Sequence, residues 1–213
     1  MKRFTTPLLC LVCLTTLSTA AQADVSANIA IQSDYVWRGI SQNAEEPAIQ
    51  GGFDYAHESG AYLGIWGSSV DFGGPESTEF DIYAGWGTEL ENGVGIDLGI
   101  LEYTYHGQDG ASDSNFTEYY GGVTYKGFGA TYSIGDEFDD LIELSYSHDF
   151  KAGFSAKAIY GDYDAYSYYS FGISAEFQEI GFDISYWNTD INSEIDIDGL
   201  ADGRVVFTVS KSF

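Results

Sequence analysis

From Val25 to the C-terminal Phe213, apolar and polar residues alternate in short runs, and no stretch carries a helical stripe or 18 consecutive apolar residues. A strand points successive side chains to opposite faces, so each run reads as a strand with one oily face and one wet face. The first is Val25 to Arg38. One face holds Val25, Ala27, Ile29, Ile31, Tyr35 and Trp37; the other holds Ser26, Asn28, Gln32, Asp34 and Arg38. Eleven further runs fall at 49–55, 61–72, 79–86, 94–100, 118–125, 128–134, 142–147, 154–161, 169–177, 182–186 and 204–213. In 61–72 the pattern leaves the inward face undecided.

The connections alternate in length. Links at 57–60, 90–93, 126–127, 149–153 and 178–180 are short, whereas those at 39–47, 73–78, 106–114, 136–140, 162–166 and 191–203 are longer. Short turns at one end and longer loops at the other suit an outer-membrane barrel. The expected fold is therefore all-β: an antiparallel up-and-down transmembrane barrel of about 12 strands. A soluble periplasmic β-sandwich would also alternate. The aromatics that close the apolar runs (Tyr35, Trp37, Trp86, Tyr125, Phe128, Phe154, Phe177, Phe182) favour the barrel, as girdles at two lipid–water boundaries.

Residues 1–23 read as a cleaved signal peptide: Lys2 and Arg3, an apolar stretch from Leu8 to Leu17, then Ala21-Gln22-Ala23. The barrel domain is then 24–213. The full chain has 33 acids, 8 bases and a formal charge of −25. Removing the leader takes away Lys2 and Arg3 but no acid, which leaves a charge of −27. Both cysteines also go, so the exported domain relies on no disulfide. A polyanion has no electrostatic basis for holding nucleic acid. The expected location is the outer membrane of a Gram-negative bacterium, among lipid and lipopolysaccharide.

The chain ends on a strand whose alternate positions are Val205, Phe207, Val209, Lys211 and the terminal Phe213. This resembles the terminal signal that outer-membrane barrels present to the barrel-assembly machinery. Near the other terminus, Ser33-Asp34-Tyr35-Val36-Trp37-Arg38-Gly39-Ile40-Ser41-Gln42 resembles the hallmark of the TorF family of proteobacterial porins. Residues 47–55, 64–68, 79–86 and 103–105 are similar to that family too. The resemblance implies an outer-membrane barrel and a pore. It transfers no established substrate, cofactor or catalytic residue.

With the apolar face on lipid, the other parity lines a lumen. It carries Asp34, Asp54, Glu79, Asp81, Asp97, Glu118, Glu143, Glu176 and Asp183 against Arg38, Lys157 and Arg204. An acidic, low-dielectric channel concentrates cations. The expected activity is passive diffusion of small solutes, with cations preferred. The alternative is a plugged, non-conducting structural or binding barrel, since twelve strands lie between filled and open barrel sizes. Arg38 at the end of the first strand and Arg204 at the start of the last are expected to meet at the rim. They would form either half of a transverse field or a lock on barrel closure.

No metal or enzyme signature emerges. Glu194, Asp196 and Asp198 before Gly199 echo a calcium loop, but its twelfth position is Val205 rather than Glu. His57, His106 and His148 fall on different connections and strand ends, and no G-x-S-x-G occurs.

Overall fold

The computed structural model describes residues 24–136, 140–151, 153–163, 165–191 and 199–213. The leader and the calcium-like acids at 194–198 lie outside the described residues. Among the described residues there are fourteen strands: β1 (Asp24–Gln32), β2 (Val36–Trp37), β3 (Ile40–Ser41), β4 (Ala48–Ala56), β5 (Ala61–Ser69), β6 (Glu76–Glu89), β7 (Val94–Gly107), β8 (Phe116–Tyr125), β9 (Phe128–Gly135), β10 (Leu141–Asp149), β11 (Phe154–Asp162), β12 (Ser167–Phe177), β13 (Ile180–Asp190) and β14 (Arg204–Ser212). Twelve of them close a barrel in which each strand pairs antiparallel with its neighbours, and β1 closes on both β14 and β4. Strands β2 and β3 form a separate two-stranded hairpin. One 3₁₀ turn, Ala111–Ser114, lies between β7 and β8.

The oily face points outward, as the alternation requires. Val25, Ile49, Phe53, Leu63, Ile82, Leu98, Ile142, Phe171 and Phe207 are all exposed. Trp86, Tyr125, Phe128, Phe154, Phe177 and Phe182 ring the short-turn end. Phe80, Tyr119, Tyr160, Tyr169, Tyr186 and Phe207 stand toward the long-loop end. Strand β5 resolves the undecided run: Leu63 and Ile65 face out, while Gly64, Trp66 and Ser68 are buried inside.

Strand lengths are uneven. β6 and β7 pair over nearly all of their 14 residues each. At about 3.4 Å per residue, they rise well beyond what a bilayer crossing needs. The seam is shorter, because only Asn28–Gln32 of β1 finds partners on β14.

The first strand departs from the expected run. β1 ends at Gln32, not Arg38. There the Ser33 N–H donates to the Phe207 carbonyl (2.8 Å), and the Phe207 N–H donates to Ser33 Oγ (2.9 Å). The chain then turns into the lumen. Tyr35 and Val36 are buried, and Trp37 packs on Tyr103 and Phe116 from β7 and β8. Tyr35 and Trp37 therefore belong to no girdle. They keep the parity of Ile29 and Ile31, so the alternation carried no sign that the chain leaves the wall.

Candidate functional site: the hairpin-crossed lumen

The inward hairpin pairs Val36 with Ser41 and Trp37 with Ile40 around a two-residue tip, Arg38-Gly39. Both tip residues have positive φ, 50° and 85°, the geometry of a tight hairpin turn. Gly39 is required twice over. Its φ disfavours a side chain, and a Cβ there would lie 2.3 Å from Thr189 Oγ1 and 2.7 Å from Tyr168 Cβ. Thr189 Oγ1 also donates to the Gly39 carbonyl at 2.8 Å. The hairpin therefore leaves the wall at β1 and docks its tip on β12 and β13.

Charge holds both ends. At the root, Asp34 accepts Arg204 Nη1 at 2.9 Å and Ser41 Oγ at 2.7 Å. Arg204 also reaches Glu45 at 3.2 Å and donates to the Leu200 carbonyl at 2.7 Å. At the tip, Arg38 Nη2 contacts Glu118 at 2.6 Å, and Nη1 donates to the Tyr163 hydroxyl. The guanidinium also lies 4.4 Å from the Trp37 ring centroid. The two arginines form no shared rim patch. Each is consumed by its own acid, because the chain turns inward before Arg38 and carries it away from the wall.

The other acids of the inward parity sit as follows. Glu79 and Asp81 are buried at 1% and 0% exposure on β6, and Tyr35 of the hairpin donates to Glu79 at 3.3 Å. Asp97 accepts from Tyr62 at 2.8 Å, and Tyr62 in turn meets the Tyr120 hydroxyl at 2.6 Å. Tyr83 donates to Asp54, and Tyr168 donates to Glu143 at 2.7 Å. Lys157 and Asp183 are half-buried on β11 and β13, while Glu176 is exposed near the short-turn end of β12.

Sequence reasoning missed the inward tyrosines as a set. Tyr83 and Tyr120 already fell on the polar parity, which was the available signal. Each of Tyr62, Tyr83, Tyr120 and Tyr168 lies over a glycine directly opposite in register: Gly85, Gly64, Gly99 and Gly161. A Cβ on any of these glycines would strike the ring at 2.2–2.4 Å. The bare glycine lets the ring lie flat across the strand and deliver its hydroxyl to a neighbouring acid or, for Tyr120, to the Tyr62 hydroxyl.

The lumen is thereby divided. Under the hairpin tip, between Arg38, Thr131, Ser133 and Glu143, remains a cavity of about 20 Å³, room for about one water. At the long-loop end lies a larger one of about 370 Å³. Its lining includes Trp37, Phe72, Tyr105, Phe116, Tyr163 and Tyr166. Burial pushes the Tyr163 hydroxyl up to about 12 and raises Tyr166 as well, so both stay neutral phenols near pH 7. The histidines stand apart. The His57 ring bonds Ser59 of its own turn, His106 packs on Phe80, and His148 packs on Phe150. Among the described residues no group of three His, Cys, Asp or Glu could hold a metal ion.

Solved structures share this architecture at low identity. A KdgM porin matches with a TM-score of 0.58 and 7% identity, over 90% of this chain and 98% of that one. A KdgM porin in complex with disordered oligogalacturonate gives 0.59, 8%, 90% and 99%. A NanC porin gives 0.53, 9%, 88% and 98%. No curated protein matches the sequence. A family model described as a bacterial protein of unknown function, Gcw_chp, matches residues 17–213, and the chain belongs to that family.

Proposed function

We propose that this protein is an outer-membrane channel for passive diffusion of small solutes, with cations preferred over anions. The observation that carries this reading is a closed twelve-stranded barrel with an apolar exterior and an interior rich in acids. A lipid-facing exterior satisfies the exposed Ile, Leu and Phe, and the acids escape hydrocarbon by facing inward. The resemblance to TorF porins and the shared fold of the KdgM and NanC porins support it. Oligogalacturonate, the ligand of one KdgM complex, is polyanionic. The lumen of this chain would repel such a molecule, because Arg38 and Arg204 are already paired with acids.

On this reading Asp54, Asp97, Glu143, Lys157, Glu176 and Asp183 line the conducting path, and Asp34, Arg38, Glu79, Asp81, Glu118 and Arg204 fix the hairpin that narrows it. The outward Val205, Phe207 and Val209 of β14, with the terminal Phe213, form the segment offered to the assembly machinery. Lys211 turns toward Glu179 at 3.6 Å, near the lipid boundary.

A second reading has direct support as well. The hairpin crosses the lumen and its tip is fastened to Glu118, Tyr163 and Thr189 on the far side, so a barrel that stays plugged fits the same geometry. Planar-bilayer recording separates the two. The channel reading expects stepwise conductance and a reversal potential of cation-selective sign in a salt gradient. Silence from protein shown to be folded by its heat-dependent gel migration would establish the plugged reading, and an anion-selective potential would overturn the cation preference.

A further inference from the structure

The 370 Å³ cavity at the long-loop end is within the size range of small-molecule sites and is walled mainly by aromatic rings. Its rings come from four places: Trp37 on the hairpin, Phe72 before β6, Tyr105 and Phe116 flanking the β7–β8 connection, and Tyr163 with Tyr166 between β11 and β12. Phe72 and Tyr105 meet edge to face at 5.5 Å, and Tyr163 and Tyr166 are tilted at 5.0 Å. Among the described residues no charged side chain lines it.

Much of the polar capacity of the lining is already engaged. The Gln42 amide donates to the Ile40 carbonyl at 3.0 Å, the Ser114 hydroxyl donates to Glu76, and the Tyr163 hydroxyl accepts from Arg38. A ligand bristling with hydroxyls, such as a sugar, would find few free partners. What the lining presents is chiefly ring surface, Phe72, Tyr105 and Tyr166 included.

The net charge around this mouth is negative. The six bases after residue 23 are Arg38, Lys126, Lys151, Lys157, Arg204 and Lys211. Both arginines are tied to acids. Lys126 and Lys151 lie in short turns, Lys211 lies at the C-terminal end of β14, and Lys157 lies in the body of β11. Glu45, Glu46, Asp71, Glu76, Asp109, Asp113 and Asp162 all belong to the long-loop end. Such a field draws cations to the mouth. The rings then select among them, because a hydrated metal ion prefers carboxylate oxygens while an alkylated ammonium prefers aromatic faces. The molecule already uses these faces this way: the Arg38 guanidinium lies 4.4 Å from the Trp37 centroid and 5.5 Å from that of Tyr163.

We infer that this vestibule is a binding site for a small organic cation carrying an alkylated ammonium head. The site is complete without ion flow through the barrel, so it stands apart from the channel reading.

The test titrates choline, and separately its uncharged isostere 3,3-dimethylbutan-1-ol, into the folded barrel by calorimetry at fixed ionic strength. Choline is expected to saturate one site, with the isostere at least about tenfold weaker. Phe72→Leu and Tyr166→Leu keep apolar bulk but remove a ring face, so each should weaken choline several-fold while the heat-dependent gel shift remains. Should one of them fail to fold, the other carries the test. Equal affinity for choline and the isostere, unchanged choline affinity in a folded leucine variant, or no saturable choline binding would each overturn the inference. Bilayer recording on the same preparation keeps the two readings apart. A conducting barrel that ignores choline removes the site and leaves the channel, and a silent barrel that binds choline does the reverse.

Discussion

Replacing Arg38 with Ala should release the hairpin tip from the lumen wall. The side chain makes a 2.6 Å ion pair with Glu118, donates to Tyr163 and stacks on Trp37, and the two ion-paired side chains are only 10% and 5% exposed. Removing one partner of a buried ion pair costs about 3–5 kcal/mol, mostly because the other charge is stranded. The lumen is wetter than a protein core, so we take the lower end, about 3 kcal/mol, which lowers the docked-to-undocked ratio by about a hundredfold. Single-channel recording should then show larger and noisier conductance than wild type. The heat needed to unfold the barrel on gels should fall only modestly, since the ladder is intact. Adding Glu118→Gln to Arg38→Ala removes the stranded carboxylate and should recover quiet, small conductance. Two results would refute the reasoning. Unchanged conductance in Arg38→Ala would mean that the ion pair does not hold the hairpin. Failure of Glu118→Gln to rescue would place the anchor in the ring stacking instead.

Three other outcomes follow from the geometry. Gly39→Ala forces a Cβ against Thr189 and Tyr168 at positive φ, and should cost about 1–3 kcal/mol of hairpin docking; conductance noise like that of Arg38→Ala, with little change in gel migration, is the signature. Tyr168→Phe removes the 2.7 Å bond to Glu143 and should lower the unfolding temperature by an amount equivalent to about 1.5–3 kcal/mol, read as loss of the compact gel band at lower heating temperature. Asp97→Asn deletes one lumen charge, and the reversal potential in a salt gradient should move toward zero; a potential that does not move would place the ion path elsewhere.

The twelve barrel strands were legible because each obeys a period of two enforced by lipid on one side and water on the other. The hairpin was not legible, for a related reason. Tyr35 and Trp37 continue the parity of Ile29 and Ile31, and nothing in the pattern separates an aromatic facing lipid from one packed inside a lumen. The one local mark was Arg38-Gly39 between two short pairs, a turn signal absorbed into an over-long first strand. The expected meeting of Arg38 with Arg204 failed with it. Glu79, Asp81, Asp97 and Glu118 are buried on the parity opposite the exposed apolar residues, but the tyrosine partners of the inner acids depend on cross-strand register. The pairing of Tyr83 with Gly64, or Tyr168 with Gly161, appears only once neighbouring strands are aligned.

The seam between β1 and β14 is a short ladder; the chain leaves the wall just after β1 to enter the hairpin, while Arg204 opens β14. The bond from Arg204 to Asp34 therefore ties the root of the obstruction to the last strand that closes the cylinder. Obstruction and closure share one fastener. Any event that frees the whole hairpin also loosens the joint where the wall was sealed, whereas freeing the Arg38 tip alone does not. Movement of the tip around a fixed root is thus the change this barrel can undergo without risk to its own circumference. The same fastener cannot form until the final strand is in place beside the first.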